Sequence, residues 1–210
     1  MFKLIKLYKN ETDLIADCLA GKRNAQEALY KKYSSKMLAI CARYLPDKAE
    51  AEDAMINGFV RVFSQLENFR KEGSFEGWIR RIMVNEALAM LRKKSKMYLE
   101  PAENADYHAD YQIEENHLEA EELLTMVQQL PTGYRTVFNL YAIEGYSHKE
   151  IADLLGITES TSKSQLNRAR NMLKSELEKI EKSWQTDKAT ATKSRSSGYD
   201  SMRDLKFEIA

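Results

Sequence analysis

Glycine and proline are scarce in this chain, 8 and 3 among 210 residues, which argues against a turn-rich β fold. Cysteine is scarcer still. Cys18 and Cys41 each stand alone inside an apolar helical pattern, with no CxxC or Cys/His ligand spacing, so buried reduced thiols are expected. No apolar run reaches the ~18 residues of a membrane span. The start, Met1 to Lys9, alternates charge with hydrophobe too soon for a signal-peptide core. These absences predict a cytoplasmic protein without direct membrane insertion.

The signatures of catalysis are missing as well. His108, His117 and His148 form no HExxH or other ligand pair, there is no GxxxxGK[ST] phosphate loop, and no GxGxxG follows a strand. An enzyme is therefore not expected, nor a metal, a cofactor or a small-molecule substrate.

What the chain does have is helical periodicity. Its length exceeds a domain of roughly 100–150 residues but falls short of two large ones, so two small domains plus tails are expected. With 43% apolar residues it can bury real cores, and with 30% charged residues and few breakers it should be all-α.

A formal net charge of zero hides a segregation of sign. Residues 1–99 carry 19 Lys and Arg against 12 Asp and Glu, whereas residues 100–122 carry nine acids and no Lys or Arg. A basic block beside an acidic stretch suggests a polyanion-binding surface followed by a solvated linker.

Three long helices are predicted in the basic block. From Ala25 to Leu45, with Asn24 as N-cap, Ala28, Leu29, Tyr33, Met37, Ile40, Cys41 and Tyr44 recur at helical spacing. Pro46 and Asp47 end that helix. The next begins near Lys48 and places Ala51, Ala54, Met55, Phe59, Val62, Phe63 and Leu66 on one face. A loop from Asn68 to Gly73 follows. Ser74 then caps a helix expected to run to Lys96, with Phe75, Trp78, Ile79, Ile82, Met83, Leu88 and Leu91 as its stripe and a basic end from Arg92 to Lys96.

Periodicity lapses after residue 99. Residues 100–117 read as an acidic linker, 118–182 as a second domain, and 183–210 as a disordered tail rich in Ser, Thr and Lys. In the second domain, one short helix is closed by Pro131 and another by Gly145. Ser147 and Glu150 form an S-x-x-E capping box for a third. Gly156 breaks the chain, and Thr158 caps a last helix striped by Leu166, Ala169, Leu173, Leu177 and Ile180. Short helix, glycine turn and longer capped helix make a helix-turn-helix.

A helix that enters a DNA groove buries one stripe and keeps its other side free of acids. Opposite Leu166 and Ala169 stand Ser160, Lys163, Ser164, Asn167, Arg168 and Asn171, and no carboxylate occurs between Ser160 and Lys174. The chemistry is that of base and phosphate contact.

The run from Ile151 to Arg170 (IADLLGITESTSKSQLNRAR), preceded by Leu130-Pro131 and Tyr146-Ser147, resembles the C-terminal promoter-reading domain of extracytoplasmic-function sigma factors of the sigma-70 family. Ala51 to Phe63 (AEDAMINGFVRVF) and Phe75 to Asn85 (FEGWIRRIMVN) are similar to their N-terminal domain. The resemblance covers roughly residues 20–180. It implies two helical domains, the second a winged-helix-like helix-turn-helix without the wing.

Partners follow from it too: core RNA polymerase, promoter DNA and an anti-sigma factor. By the same resemblance Glu52, Asp53, Asn57, Phe59, Val60 and Phe63 bind the polymerase. Arg70, Lys71, Ser74, Phe75, Trp78, Arg80, Arg81, Asn85, Arg92 and Lys93 hold the opened downstream element, and Ser160, Thr161, Lys163, Ser164, Asn167 and Arg168 read the upstream one.

Trp78 lies on the apolar stripe, so core packing stands beside base contact. Some positions depart from the family pattern. Ile56-Asn57 stands where many members have Gln followed by an acid, and Gln165 and Asn167 stand where Arg and His are frequent. Ser162 falls on the buried stripe, where its hydroxyl is expected to loosen the packing. The rival reading is a stand-alone helix-turn-helix regulator whose residues 1–99 sense or dimerise.

Overall fold

The structure is a computed structural model that describes Tyr8, residues 10–95 and residues 118–190, with side chains described to residue 93 and from 123 to 180. Two compact units divide the chain, Met1–Asp106 and Tyr107–Ala210. All regular structure among the described residues is helical.

The first unit holds α1 (Glu11–Leu19), α2 (Arg23–Tyr44), α3 (Lys48–Ser64), a 3₁₀ turn (Leu66–Asn68) and α4 (Phe75–Ser95). Its core is made by α2, α3 and α4, each packed on the other two. The predicted stripes face inward. Leu29, Tyr33 and Met37 of α2, Ala51, Ala54 and Val62 of α3, and Phe75, Ile79, Met83 and Leu88 of α4 are buried. At the α3–α4 crossing Gly58 is buried, and a Cβ there would overlap the Met83 thioether. The missing side chain at Gly58 therefore leaves the space that the Met83 thioether fills.

Helix starts follow the expected chemistry with one correction. Asp47 Oδ1 accepts from Glu50 N at 3.0 Å, and Ser74 Oγ accepts from Gly77 N at 3.0 Å. Asn24, however, does not cap α2. The chain turns at Gly21, whose φ is +72°, and the carbonyl of Lys22 accepts the first helical bonds from Ala25 and Gln26. Asn24 is thus already inside the first turn.

The second unit holds α5 (Leu118–Gln129), α6 (Thr132–Phe138), a π-helical turn (Asn139–Ile143), α7 (His148–Leu155) and α8 (Glu159–Thr190). Both α6 and α7 pack on α8 around Val137, Leu140, Ile151, Leu166, Ala169 and Leu173. The S-x-x-E box forms as read from the sequence, with Ser147 N donating to Glu150 Oε2 at 2.8 Å. Gly156 closes α7 in the left-handed region at φ +68°. Thr158 Oγ1 then accepts from Thr161 N at 3.1 Å to start α8.

Buried Arg135 was not foreseen. Its Nη1 donates to the carbonyls of Gln128 at 2.8 Å and Leu130 at 3.0 Å, satisfying acceptors at the end of α5.

The expected linker, 100–117, lies outside the described residues. The tail expected from 183 is corrected in part, because α8 runs on to Thr190. No glycine or proline occurs between Ser183 and Thr190 to stop it, and loss of an apolar stripe is not by itself a stop signal. Residues 191–210 lie outside the described residues.

Candidate functional site

The N-terminal half of α8 presents one polar, exposed side. Ser160, Lys163, Ser164, Asn167 and Arg168 are all exposed there, while Leu166, Ala169 and Leu173 point inward. Thr161 is half-buried, and its Oγ1 lies 2.9 Å from Thr158 Oγ1, so it serves the helix start. Lys163 Nζ stands 3.8 Å from Glu159 Oε2, an exposed contact of small energetic weight. This side carries donors, acceptors and cations suited to base edges and phosphates.

Ser162 corrects an expectation. It is fully buried, but its hydroxyl lies 2.9 Å from His148 Nδ1, so the polar group is paired and ties α8 to α7. Partial desolvation, then the Lys163 and Arg170 charges, hold the His148 imidazole below its ordinary pKa, against an opposing pull from Glu159. The spacing of residues 148 and 162 gave no sign of this pairing, since it depends on how the two helices cross.

In the first unit, Ser74, Trp78, Arg81, Asn85 and Arg92 follow one another at spacings of 4, 3, 4 and 7 along one side of α4. Arg81, Asn85, Arg92 and Lys93 are exposed; Arg80 is half-buried. The preceding loop exposes Arg70 and Lys71, the latter in the left-handed region at φ +60°. Phe69, Phe75 and Trp78 form a cluster with ring centres 5.0 to 5.8 Å apart.

Phe75 is withdrawn from the DNA-contacting set. Only 1% exposed, it packs beneath Phe69 and Trp78 and against Tyr33. Trp78 and Phe69 are half-buried and retain free ring surface.

A second correction concerns α3. Phe59, assigned to polymerase contact, is 3% exposed and packs against Tyr30 and Phe63 with ring centres 4.8 and 6.2 Å away. The outward side of α3 is instead Asp53, Ile56, Asn57 and Val60, with Glu52 and Phe63 half-buried at its margin. Ile56 is 51% and Val60 63% exposed. Ile56 was missed, although it stands off the stripe one turn from Val60 and two apolar residues facing water form a visible signal.

Among the described residues there is no group of three or more His, Cys, Asp or Glu able to hold a metal ion, and no helix long and apolar enough to cross a membrane.

An exposed face without a carboxylate from Ser160 to Lys174 on the second helix of a helix-turn-helix, on a chain with a separate basic helical unit, defines an all-helical DNA-binding transcription protein. Comparison with known proteins makes this specific. Residues 29–97 match the model for sigma-70 region 2, and residues 120–173 the model for sigma-70, region 4.

The chain is 31% identical to the ECF RNA polymerase sigma factor SigW of Bacillus subtilis, over 75% of this chain and 91% of that protein. It is 28% identical to the RNA polymerase sigma-H factor of Pseudomonas aeruginosa, over 82% of this chain and 96% of that protein. Among solved structures it is similar to the sigma factor RpoE in complex with the anti-sigma factor NepR from Bartonella quintana. There the identity is 20%, the TM-score 0.46, and the coverage 72% of this chain and 96% of that one.

The chain belongs to the extracytoplasmic-function sigma factors of the sigma-70 family. It is an RNA-polymerase-binding subunit that recognises promoters, not a stand-alone regulator, and sigma factors are not enzymes.

Proposed function

We propose a division of this activity among three surfaces. Asp53, Ile56, Asn57 and Val60, with Glu52 and Phe63 beside them, dock on the polymerase. Arg70, Lys71, Ser74, Trp78, Arg80, Arg81, Asn85, Arg92 and Lys93 hold the downstream element as it opens, the cations on the phosphates and the free Trp78 face against an unstacked base. Ser160, Lys163, Ser164, Asn167 and Arg168 read the upstream element as duplex, with Thr161 at the margin. In this reading residues 1–99 are the polymerase and downstream domain, 100–117 the linker and 118–182 the upstream reader. The protein works in the cytoplasm. An anti-sigma factor that covers Ile56 and Val60 is the expected inhibitor, since exposed neighbouring aliphatics are a site for competition.

The observation that carries this reading is the exposed side of α8 from Ser160 to Lys174, which holds no carboxylate. Run-off transcription with purified core polymerase, alongside gel shifts of promoter DNA with and without core, tests it. Promoter-specific transcripts and a shift that needs core are expected. A full-strength specific shift by the chain alone, with no effect of core, would overturn it.

A further inference from the structure

The first turn of α6 lies against the reading side of α8. Arg168 Nη1 donates a hydrogen bond to the Tyr134 hydroxyl at 3.1 Å, and its guanidinium carbon stands 6.0 Å from the Tyr134 ring centre. Next to it, a Cβ on Gly133 would sit 3.4 Å from Gln165 Nε2, so the same turn underlies α8 one residue triplet earlier. Tyr134 is half-buried while Arg168 is exposed. A half-buried residue on one helix thus holds an exposed one on the next.

The chemistry of the holder matters. Arginine is rich in rotamers, and ordering such a side chain on binding weakens association. A carboxylate could order it, but would also neutralise its charge and compete with DNA acceptors. A phenol does neither. One of the five guanidinium N–H donors goes to Tyr134, and the remaining four suffice for a forked contact with guanine or phosphate.

We infer that Tyr134 is a positioning residue, which holds the Arg168 guanidinium in the conformation that contacts the upstream promoter duplex and thereby sharpens base preference where Arg168 reads. The inference rests on the reading of α8 given above.

The test uses full-length Tyr134→Phe, Arg168→Ala, Arg168→Lys and the Tyr134→Phe/Arg168→Ala double variant. Each is assembled with core polymerase and transcribes a library randomised across the upstream element. Arg168→Ala should flatten preference at one position. Tyr134→Phe should weaken preference at that same position by about two- to tenfold, the cost of ordering one long side chain, and nowhere else. The double variant should match Arg168→Ala alone. Arg168→Lys should lose the preference while keeping the salt dependence, because it keeps the charge without the planar fork.

Unaltered preference in Tyr134→Phe, with Arg168→Ala flattened, overturns the positioning role and leaves the reading of α8 standing. Additive effects in the double variant would mean that Tyr134 contacts DNA itself, and they overturn the role as well. If Arg168→Ala changes no preference, the base-reading role of Arg168 falls first and the inference with it. Nitrogen relaxation of the Arg168 Nε–H in the unmutated chain gives an independent measure that does not depend on how the variants fold. An ordered guanidinium is expected there, and free rotation overturns the inference.

Discussion

The Tyr141 and His148 rings stack with centres 4.5 Å apart and planes inclined by 23°, and on its other edge His148 meets the buried hydroxyl of Ser162. Arg170 stands over the far partner, 5.9 Å from the Tyr141 ring centre. The histidine is thus fixed between the turn before α7 and the recognition helix.

A pH dependence follows from that placement. The folded chain holds His148 below its ordinary value of 6.5, through desolvation first and then Lys163 and Arg170. The unfolded chain therefore binds the proton more readily. The associated stability is complete above the ordinary value and is lost as pH falls through the lower, folded one. The melting temperature of the unmodified chain should drop more than that of His148→Gln between about pH 7 and pH 5. Parallel curves for the two proteins would remove His148 as a source of acid sensitivity.

Gly58→Ala should destabilise the first unit. A Cβ there overlaps the thioether of Met83, which is itself fully buried. Overpacking costs about 1–3 kcal/mol, while leaving glycine within a helix returns about 1 kcal/mol. A net loss of up to about 2 kcal/mol is expected in urea denaturation, partly recovered by Met83→Val. A more stable Gly58→Ala variant would mean that α3 and α4 separate without cost.

Charge placed on the outer side of α3 should cut polymerase binding and spare the fold. Ile56 and Val60 are each more than half exposed, so replacing both by Glu should change stability within about 0.5 kcal/mol. Affinity for core polymerase should fall by roughly tenfold or more, as when a contact patch loses its apolar centre. Fluorescence anisotropy with labelled variant and core enzyme measures it. Undiminished affinity would place the polymerase contact elsewhere on the chain.

Base reading and phosphate anchoring should separate along α8. Asn167 faces out near the helix start, and exposed Lys174 stands two turns further on. Asn167→Ala should cost about 1–3 kcal/mol of discrimination at one or two base pairs. Lys174→Ala should weaken all sequences alike and lower the salt slope by roughly one phosphate contact. Library transcription and binding across salt concentrations distinguish them, and an intact preference in Asn167→Ala would assign that residue to solvent or backbone.

The helices were legible because their signals are local. Ser74, Ser147 with Glu150, Gly156 and Thr158 mark helix ends through bonds spanning a few residues, and the apolar stripes of α3, α4 and α8 follow a single period. The site was legible only in part. Phe59 and Phe75 carry the aromatic character of a contact residue, yet neighbouring helices cover both, and coverage is a tertiary property. Ile56, exposed on the opposite side of α3, is the counterpart of that error. The His148–Ser162 pair, Arg135 at the end of α5 and Tyr134 beneath Arg168 all join separate elements. A one-dimensional pattern does not encode such crossings, so these residues emerge only from the packed structure.

Both sulfhydryls lie inside the first unit. Cys18 is pushed up to about 11 and Cys41 to about 12, in each case mainly by burial. At neutral pH both therefore stay as thiols, and the thiolate, the form that attacks peroxides and disulfides, is disfavoured at each. While the first unit stays folded, burial thus shields both sulfurs from oxidants, and their oxidation is expected to follow the opening of that unit rather than to trigger it.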